Sequence, residues 1–465
     1  MATLPHSPPG ASGESGAAQD RSARVTPAAP PSLRSRIFAA STWTVLGIGF
    51  SRGLSMVNNL ILTRLLFPEA FGLMTLVTVV TLGVQLFSDI GLRAAVLTHE
   101  RGDDPDFLDT TWVLQIVRGA ALWLLISLLA WPAATFYEEP LLRWMLPLAG
   151  LSSLINGFGS TAGYTLARRV TPQRAIVLGL GVQLVTLALT AAAALIWRSV
   201  WVLVGASVLA AILGTIGSYW LIPERKHRFE INREHARSIY RFGRWILFST
   251  AIMFFLSQGD RLVLGKLLTK EMLGVYSVAF VLNETALQLA GKLSFNVLHP
   301  VFSEIRTDPG PALRRRIFKL RGTILVLVLP VAWLLAILGD DLVALLYDER
   351  YVEAGWMVRI LALGAVGRLV AITSDRQLLA AGDSLGYLGL QVARVVLLAA
   401  CAFLGYRWGD FRGLLFGIAA ARTLEYVPLA PLLRRHGGWL PGLDAAAFLT
   451  SAAVISAGFY AFGAP

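Results

Sequence analysis

The residues with chemistry to explain are the ionisable side chains that stand inside apolar runs. Arg52, Arg118, Arg261, Lys292, Arg359, Arg368, Arg394 and Arg422 do so, as do Asp89, Asp260, Glu284, Asp375 and Glu425. A charge at membrane depth costs about 2.5–3.5 kcal/mol on insertion scales, so each needs a partner or a task. Eight cations against five anions leave a positive surplus that pairing alone does not neutralise. An anionic ligand would supply the missing charge. Arg suits phosphate in particular, because its planar fork meets two oxygens at once.

The individual positions differ in what they admit. Arg52 lies between Ser51 and Gly53, with Asn58 and Asn59 about two turns further on. Ligand binding and pairing with Asp89 both fit it. Arg118 and Arg368 adjoin Gly119 and Gly367 and fit cavity lining or structural pairing equally. Arg261 follows Asp260, and Lys292 lies about two turns beyond Glu284, so an ion pair between neighbouring helices competes with a ligand role. Arg359 is expected to snorkel to the outer interface. Arg394 is a weaker candidate, and Arg422 is expected to pair with Glu425 at i, i+3. Asp89, Asp260, Glu284 and Asp375 are candidate proton or sodium sites, with salt-bridge partnering as the alternative.

The elements that position these groups follow from composition. The chain has 465 residues, 55% hydrophobic and only 15% charged, against roughly 25% charged in soluble domains. Mean hydropathy is +0.62. Long apolar stretches recur from Ile37 to Phe462, the pattern of an all-α, polytopic membrane protein. Spans are predicted near 37–62, 71–95, 110–134, 142–167, 174–196 and 200–222, then 245–265, 272–298, 321–338, 355–380, 385–405 and 413–433. This divides the chain into an N-terminal six-helix lobe (34–222), a basic amphipathic connector (223–244) and a C-terminal six-helix lobe (245–435). The connector is expected to lie as a helix on the inner leaflet. Residues 436–465 hold one extra apolar segment, 443–463, which fits a further span, a hairpin or an interfacial helix. Residues 1–33 are rich in Pro, Ala, Gly and Ser, and are expected to form a disordered cytoplasmic tail.

Net charge is +12. With the N-terminus in the cytoplasm, Lys and Arg favour the cytoplasmic loops by about three to one, which accounts for the basicity without nucleic acid. The single cysteine, Cys401, excludes an intrachain disulfide and a thiolate metal cluster. The six histidines are scattered, and no HExxH or P-loop occurs. Neither a metal site nor a catalytic centre is predicted.

The chain also repeats itself. Asn58–Gly72 is echoed by Asp260–Gly274 at a constant offset of 202 residues, without gaps. Both copies carry a polar pair, an aliphatic run, a basic residue, Leu-Leu, a Glu and a Gly three residues later. Six predicted spans separate the copies, so the two lobes share one orientation and are related by a pseudo-two-fold along the membrane normal. Such an interface tends to enclose a cavity near the midplane.

These stretches resemble a known family. Asn58–Gly72 is similar to the first-helix signature of bacterial polysaccharide and lipid-linked oligosaccharide flippases, of the multidrug/oligosaccharidyl-lipid/polysaccharide exporter superfamily. Phe87–Ala95 resembles the end of that family's second helix, Asp260–Ala279 its seventh and eighth, Pro300–Ile305 the segment leaving the eighth, and Ala354–Gly364 with Gln377–Gly382 the tenth. The resemblance runs from Arg34 to Arg435; the segment 443–463 departs from it. It implies a carrier that turns a polyprenyl-diphosphate-linked glycan across the bacterial inner membrane, N-terminus cytoplasmic, for O-antigen, capsule or exopolysaccharide. No cofactor is implied beyond Na+ or H+ as a coupling ion. The implied partners are the lipid-linked glycan, the bilayer and a polysaccharide polymerase or export machinery. Substrate is expected at Arg52, Arg118, Arg261, Lys292 and Arg368. Two alternatives stay open: an ion-coupled drug or cation antiporter of the same superfamily, and a polytopic glycan polymerase or ligase. The short outer loops disfavour the latter.

Overall fold

The computed structural model describes residues 33–88, 91–169, 171–223, 227–298, 301–302 and 310–463. No strand occurs among them. A helix is the element that satisfies its backbone polar groups within itself, as hydrocarbon demands. The first helices are α1 (Leu33–Leu65), α2 (Pro68–Phe87), α3 (Leu92–Thr98), α4 (Pro105–Phe136), α5 (Leu142–Gly157), α6 (Ala162–Arg168), α7 (Gln173–Trp197) and α8 (Val200–Ser218). The second series is α9 (Arg233–Leu267), α10 (Lys270–Leu293), α11 (Pro311–Leu346), α12 (Ala354–Ile372), α13 (Arg376–Ala380), α14 (Ser384–Leu424), α15 (Tyr426–Arg435) and α16 (Pro441–Phe462). Among the described residues, nine helical stretches are long and apolar enough to cross a membrane.

The two copies of the repeat meet each other. Each opens a helix with an acid in its first turn, Glu69 on α2 and Glu271 on α10, where the helix dipole favours negative charge. At Gly72 a Cβ would overlap the carbonyl oxygen of Lys270; at Gly274 it would overlap that of Pro68. Both contacts join positions related by the same offset, so they form the reciprocal pair that a two-fold axis generates. Further ties gather at this end. Tyr347 donates to Asn59 Oδ1 (2.8 Å), Lys266 pairs with Glu138 (2.6 Å) and Lys270 with Glu139 (3.5 Å). The ion pairs are water-screened and add little strength; the buried apolar side chains around Leu66, Leu73, Leu273 and Tyr276 supply it.

Away from this crossing the helices pack in two groups. In the first, α1 lies on α7, α4 on α5, and both α5 and α7 on α8; in the second, α10, α11 and α14 surround α12. α2 bridges the groups through α9 and α10. α14 is two arms. Gly409 (φ −155°) and Asp410 (φ 49°) leave helical geometry, and the chain folds back. Gly405 then rests on the carbonyl of Gly413, and Gly417 on that of Cys401. The first arm is the predicted span 385–405, and the second, continued by α15, covers the predicted span 413–433.

Two expectations are corrected and one left open is narrowed. The extra segment is a single helix: α16 runs beside α11 over its length. Asp444 meets Arg321 (2.6 Å), Ser451 accepts from Trp333 Nε1 (2.9 Å), and Gly458 abuts Ile337. Arg359 does not snorkel. It is buried, pairs with Asp340 (2.7 Å) and donates to the carbonyl of Gly463, because α16 covers it. The connector is not a separate surface helix. His227 stacks on Trp112 and Phe229 lies tilted against it, and α9 begins at Arg233 with Ile239 packed against Leu92 and Phe107. The connector therefore docks on the first group of helices and runs straight into the next span.

Two outcomes follow for stability. Gly274→Val should lower the melting temperature of the detergent-purified protein by an amount worth about 1–3 kcal/mol. Gly53→Val, with open space around it, should leave the melting temperature unchanged. Asp444→Asn strands Arg321 without a countercharge, the side chains of both being 1% exposed, and should cost about 3–5 kcal/mol in the same measurement. Arg321→Met combined with Asp444→Leu should recover most of that loss.

Candidate functional site

Between α1, α9, α10 and the helices α12–α14 lies a cavity of about 690 Å³. A smaller one of about 250 Å³ adjoins it and shares Ser257, Glu284 and Gln288. The C-terminal end of α1 meets the end of α11 through Asn59 and Tyr347. The middle of α1 stands across the cavity from α10, with Arg52, Ser55 and Met56 facing Phe280, Val281 and Thr285.

Most of the predicted residues converge here. Arg52, Arg261 and Glu284 line the smaller cavity; Asp260, Glu284, Lys292, Arg368 and Asp375 line the larger. Arg118 does not join them. Its guanidinium donates to the carbonyls of Ser88 (3.0 Å) and Gln85 (3.1 Å) at the C-terminal end of α2, where unpaired carbonyls attract a cation. Asp89 lies outside the described residues.

The cavity charges divide into two sets. In the first, carboxylates and guanidiniums neutralise one another. Glu425 Oε2 takes Arg368 (2.9 Å) and Arg394 (2.7 Å), and Asp375 takes Arg394 (3.1 Å). Arg394 Nε is close to Glu425 but out of line for a hydrogen bond, and Asp375 Oδ1 and Glu425 Oε1 keep no protein donor. Arg422 lies 3.6 Å from Glu284, not against Glu425 as its i, i+3 spacing suggested. Glu425 is already occupied by two other arginines, which is the physical reason.

The second set is Arg52, Arg261 and Lys292. None of the three has a carboxylate within ion-pairing distance among the described residues. Arg52 has no hydrogen-bond partner there either, and its like charge acts on Lys292 across the space. Arg261 donates to Gln258 (3.1 Å), and its guanidinium lies 3.5 Å above the Phe280 ring. The ion pair anticipated between the helices carrying Asp260–Arg261 and Glu284–Lys292 is not formed. Three cations from α1, α9 and α10 thus face a shared space without countercharge. That arrangement can hold a multivalent anion by charge-assisted hydrogen bonds.

Sequence reasoning missed several lining residues. Arg376 is not among the predicted site residues, but Thr373–Asp375 turn tightly after α12 and bring it into the cavity wall. Gln288, Gln391 and Tyr387 line it as well. Two amides within otherwise apolar spans were the available signal.

Comparison with known proteins agrees with this architecture. Residues 61–355, more than half of the chain, match the family model described as "Polysaccharide biosynthesis protein". The amylovoran biosynthesis protein AmsL of Erwinia amylovora is 28% identical over 58% of this chain and 70% of its own length. The succinoglycan biosynthesis transport protein ExoT of Rhizobium meliloti is 23% identical over 69% of this chain and 64% of its own. Among solved structures, the inward closed conformation of the lipid II flippase MurJ aligns with a TM-score of 0.63 at 13% identity, over 89% of this chain and 91% of that one. A point mutant of the Vibrio cholerae MATE transporter VcmN aligns at 0.60 and 14%, over 86% and 97%. These two likenesses establish a common fold. The chain belongs to the polysaccharide biosynthesis protein family.

Proposed function

We propose that this protein carries a polyprenyl-diphosphate-linked oligosaccharide or polysaccharide precursor across the bacterial inner membrane by alternating access. The observation that carries the reading is the set of cations without countercharge, Arg52, Arg261 and Lys292, facing a cavity between the two helix groups. A diphosphate supplies two or more negative charges and several acceptor oxygens, which three converging cations can satisfy. The names of the relatives, which refer to polysaccharide biosynthesis and transport, support the same substrate class.

The N-terminus is assigned to the cytoplasm from the bias of Lys and Arg. The crossing at Gly72 and Gly274 is then the outer seal, and the cavity is reached from the inner side. Rocking of lobes 34–222 and 245–435 about the interface would open the outer side and close the inner. Delivered outward, the glycan would pass to a polysaccharide polymerase or export machinery. Na+ or H+ would couple through an acid of the cavity. Asp375 and Asp260 are both engaged, whereas Glu284, 3.6 Å from its partner and a quarter exposed, is held least firmly. The antiporter reading is less well supported, because the acids that would attract a cationic drug are spent on Arg368, Arg394 and Arg422. The reading invokes no catalytic step.

Arg52→Ala and Arg261→Ala should each lower surface glycan by about ten- to a hundredfold, the loss of a hydrogen bond to a charged group. Membrane levels of the protein should stay unchanged by immunoblot. Normal surface glycan in both strains would reject the headgroup role of these residues.

A further inference from the structure

We infer that Tyr276 is a positioning residue that holds the Asp260 carboxylate against α10, off the Arg261 guanidinium, and so keeps Arg261 available to an anionic headgroup. The inference rests on the diphosphate reading above. Asp260 and Arg261 are adjacent in sequence, yet adjacent residues on a helix point about 100° apart. Both Asp260 oxygens are taken by neutral donors. Oδ1 accepts from the Arg261 backbone amide (2.8 Å) and Oδ2 from the Tyr276 hydroxyl (2.5 Å). Asp260 is 8% exposed and Tyr276 is fully buried. Arg261 turns the other way, onto Gln258 and the Phe280 face. A carboxylate satisfied by neutral donors keeps its charge without consuming a cation.

Removing the hydroxyl takes away one of the two donors. A buried carboxylate short of a donor bears a desolvation cost and turns toward the nearest positive charge. Arg261 and Arg422 are both close enough to act electrostatically on Tyr276. Asp260 would then compete with the ligand for them.

The internal repeat supports the assignment independently. At the offset of 202 residues, Asp260 and Arg261 correspond to Asn58 and Asn59, and Tyr276 corresponds to Met74. Where the acid is a neutral amide, the hydroxyl is also absent. The tyrosine accompanies the carboxylate, not the helix crossing that both copies share.

The test uses the full chain in detergent micelles, with farnesyl diphosphate as the probe and intrinsic tryptophan fluorescence as the readout. Tyr276→Phe should weaken binding about tenfold, which corresponds to ~1.4 kcal/mol. Asp260→Asn should bind at least as tightly as wild type, and Asp260→Asn combined with Tyr276→Phe should return to the wild-type affinity. Wild-type affinity in Tyr276→Phe overturns the inference, as does a double variant that stays weak. Tenfold weaker binding by Asp260→Asn alone also overturns it and does not depend on how well the Tyr276 variants fold. Failure of wild type to bind, or undiminished binding by Arg261→Ala, would instead reject the diphosphate reading itself. Loss in Arg261→Ala with no change in Tyr276→Phe rejects only the role given to Tyr276.

Discussion

The approach of α2 to α10 sets the geometry of everything around it. Two glycines, Gly72 and Gly274, let each helix lie on a carbonyl of the other. Nothing with a side chain fits at either position without moving backbone. Small residues are what allow close packing in lipid, where apolar surface gains nothing by leaving hydrocarbon for protein. Because the contact joins equivalent positions in both halves, it sits on the pseudo-two-fold axis. With α2 and α10 pinned together at this end, the smaller cavity lies further along α10, between it, α1 and α9.

That cavity illustrates how a protein manages charge in a medium that penalises it. Arg368, Arg394, Asp375 and Glu425 form a mutually compensated cluster. Arg321 with Asp444 and Arg359 with Asp340 do the same where α16 docks. These pairs hold helices in register. Arg52, Arg261 and Lys292 are treated differently: no acid answers them, although four acids line the same space. Asp260 is adjacent in sequence to Arg261 and still does not neutralise it. A surplus kept in this way favours an anion arriving from outside the protein.

Much of this was legible from residue types and spacing. The spans, the repeat and the inventory of buried ionisable groups all follow from hydropathy and a constant offset. Pairing was not legible. Whether Arg359 reached the interface depended on α16, which is more than eighty residues further along the chain. Whether Arg422 met Glu425 depended on two other arginines arriving from α12 and α14. Arg118 looked equivalent to Arg368 by composition, yet it caps the carbonyls at the end of α2. Local sequence restricts which groups are available at a given depth; long-range packing decides which of them meet. For the same reason Arg376 escaped notice, since its place in the cavity wall comes from a tight turn inside an apolar run.

α16 has a mechanical consequence. Packed along α11 and tied to it by Asp444 and Ser451, and to α12 by Gly463, it gives the second half of the molecule an extra buttress with no equivalent among the described residues of the first. Most residues of Ala354–Ala380, at the heart of that half, are buried, whereas in Gln173–Trp197 on the other side only Thr190 and Ala194 are. Stiffness is therefore distributed unequally despite the symmetry of the repeat. Any relative movement of the halves would be taken up mainly by bending in α1 and its neighbour α7, with the C-terminal half serving as the fixed frame.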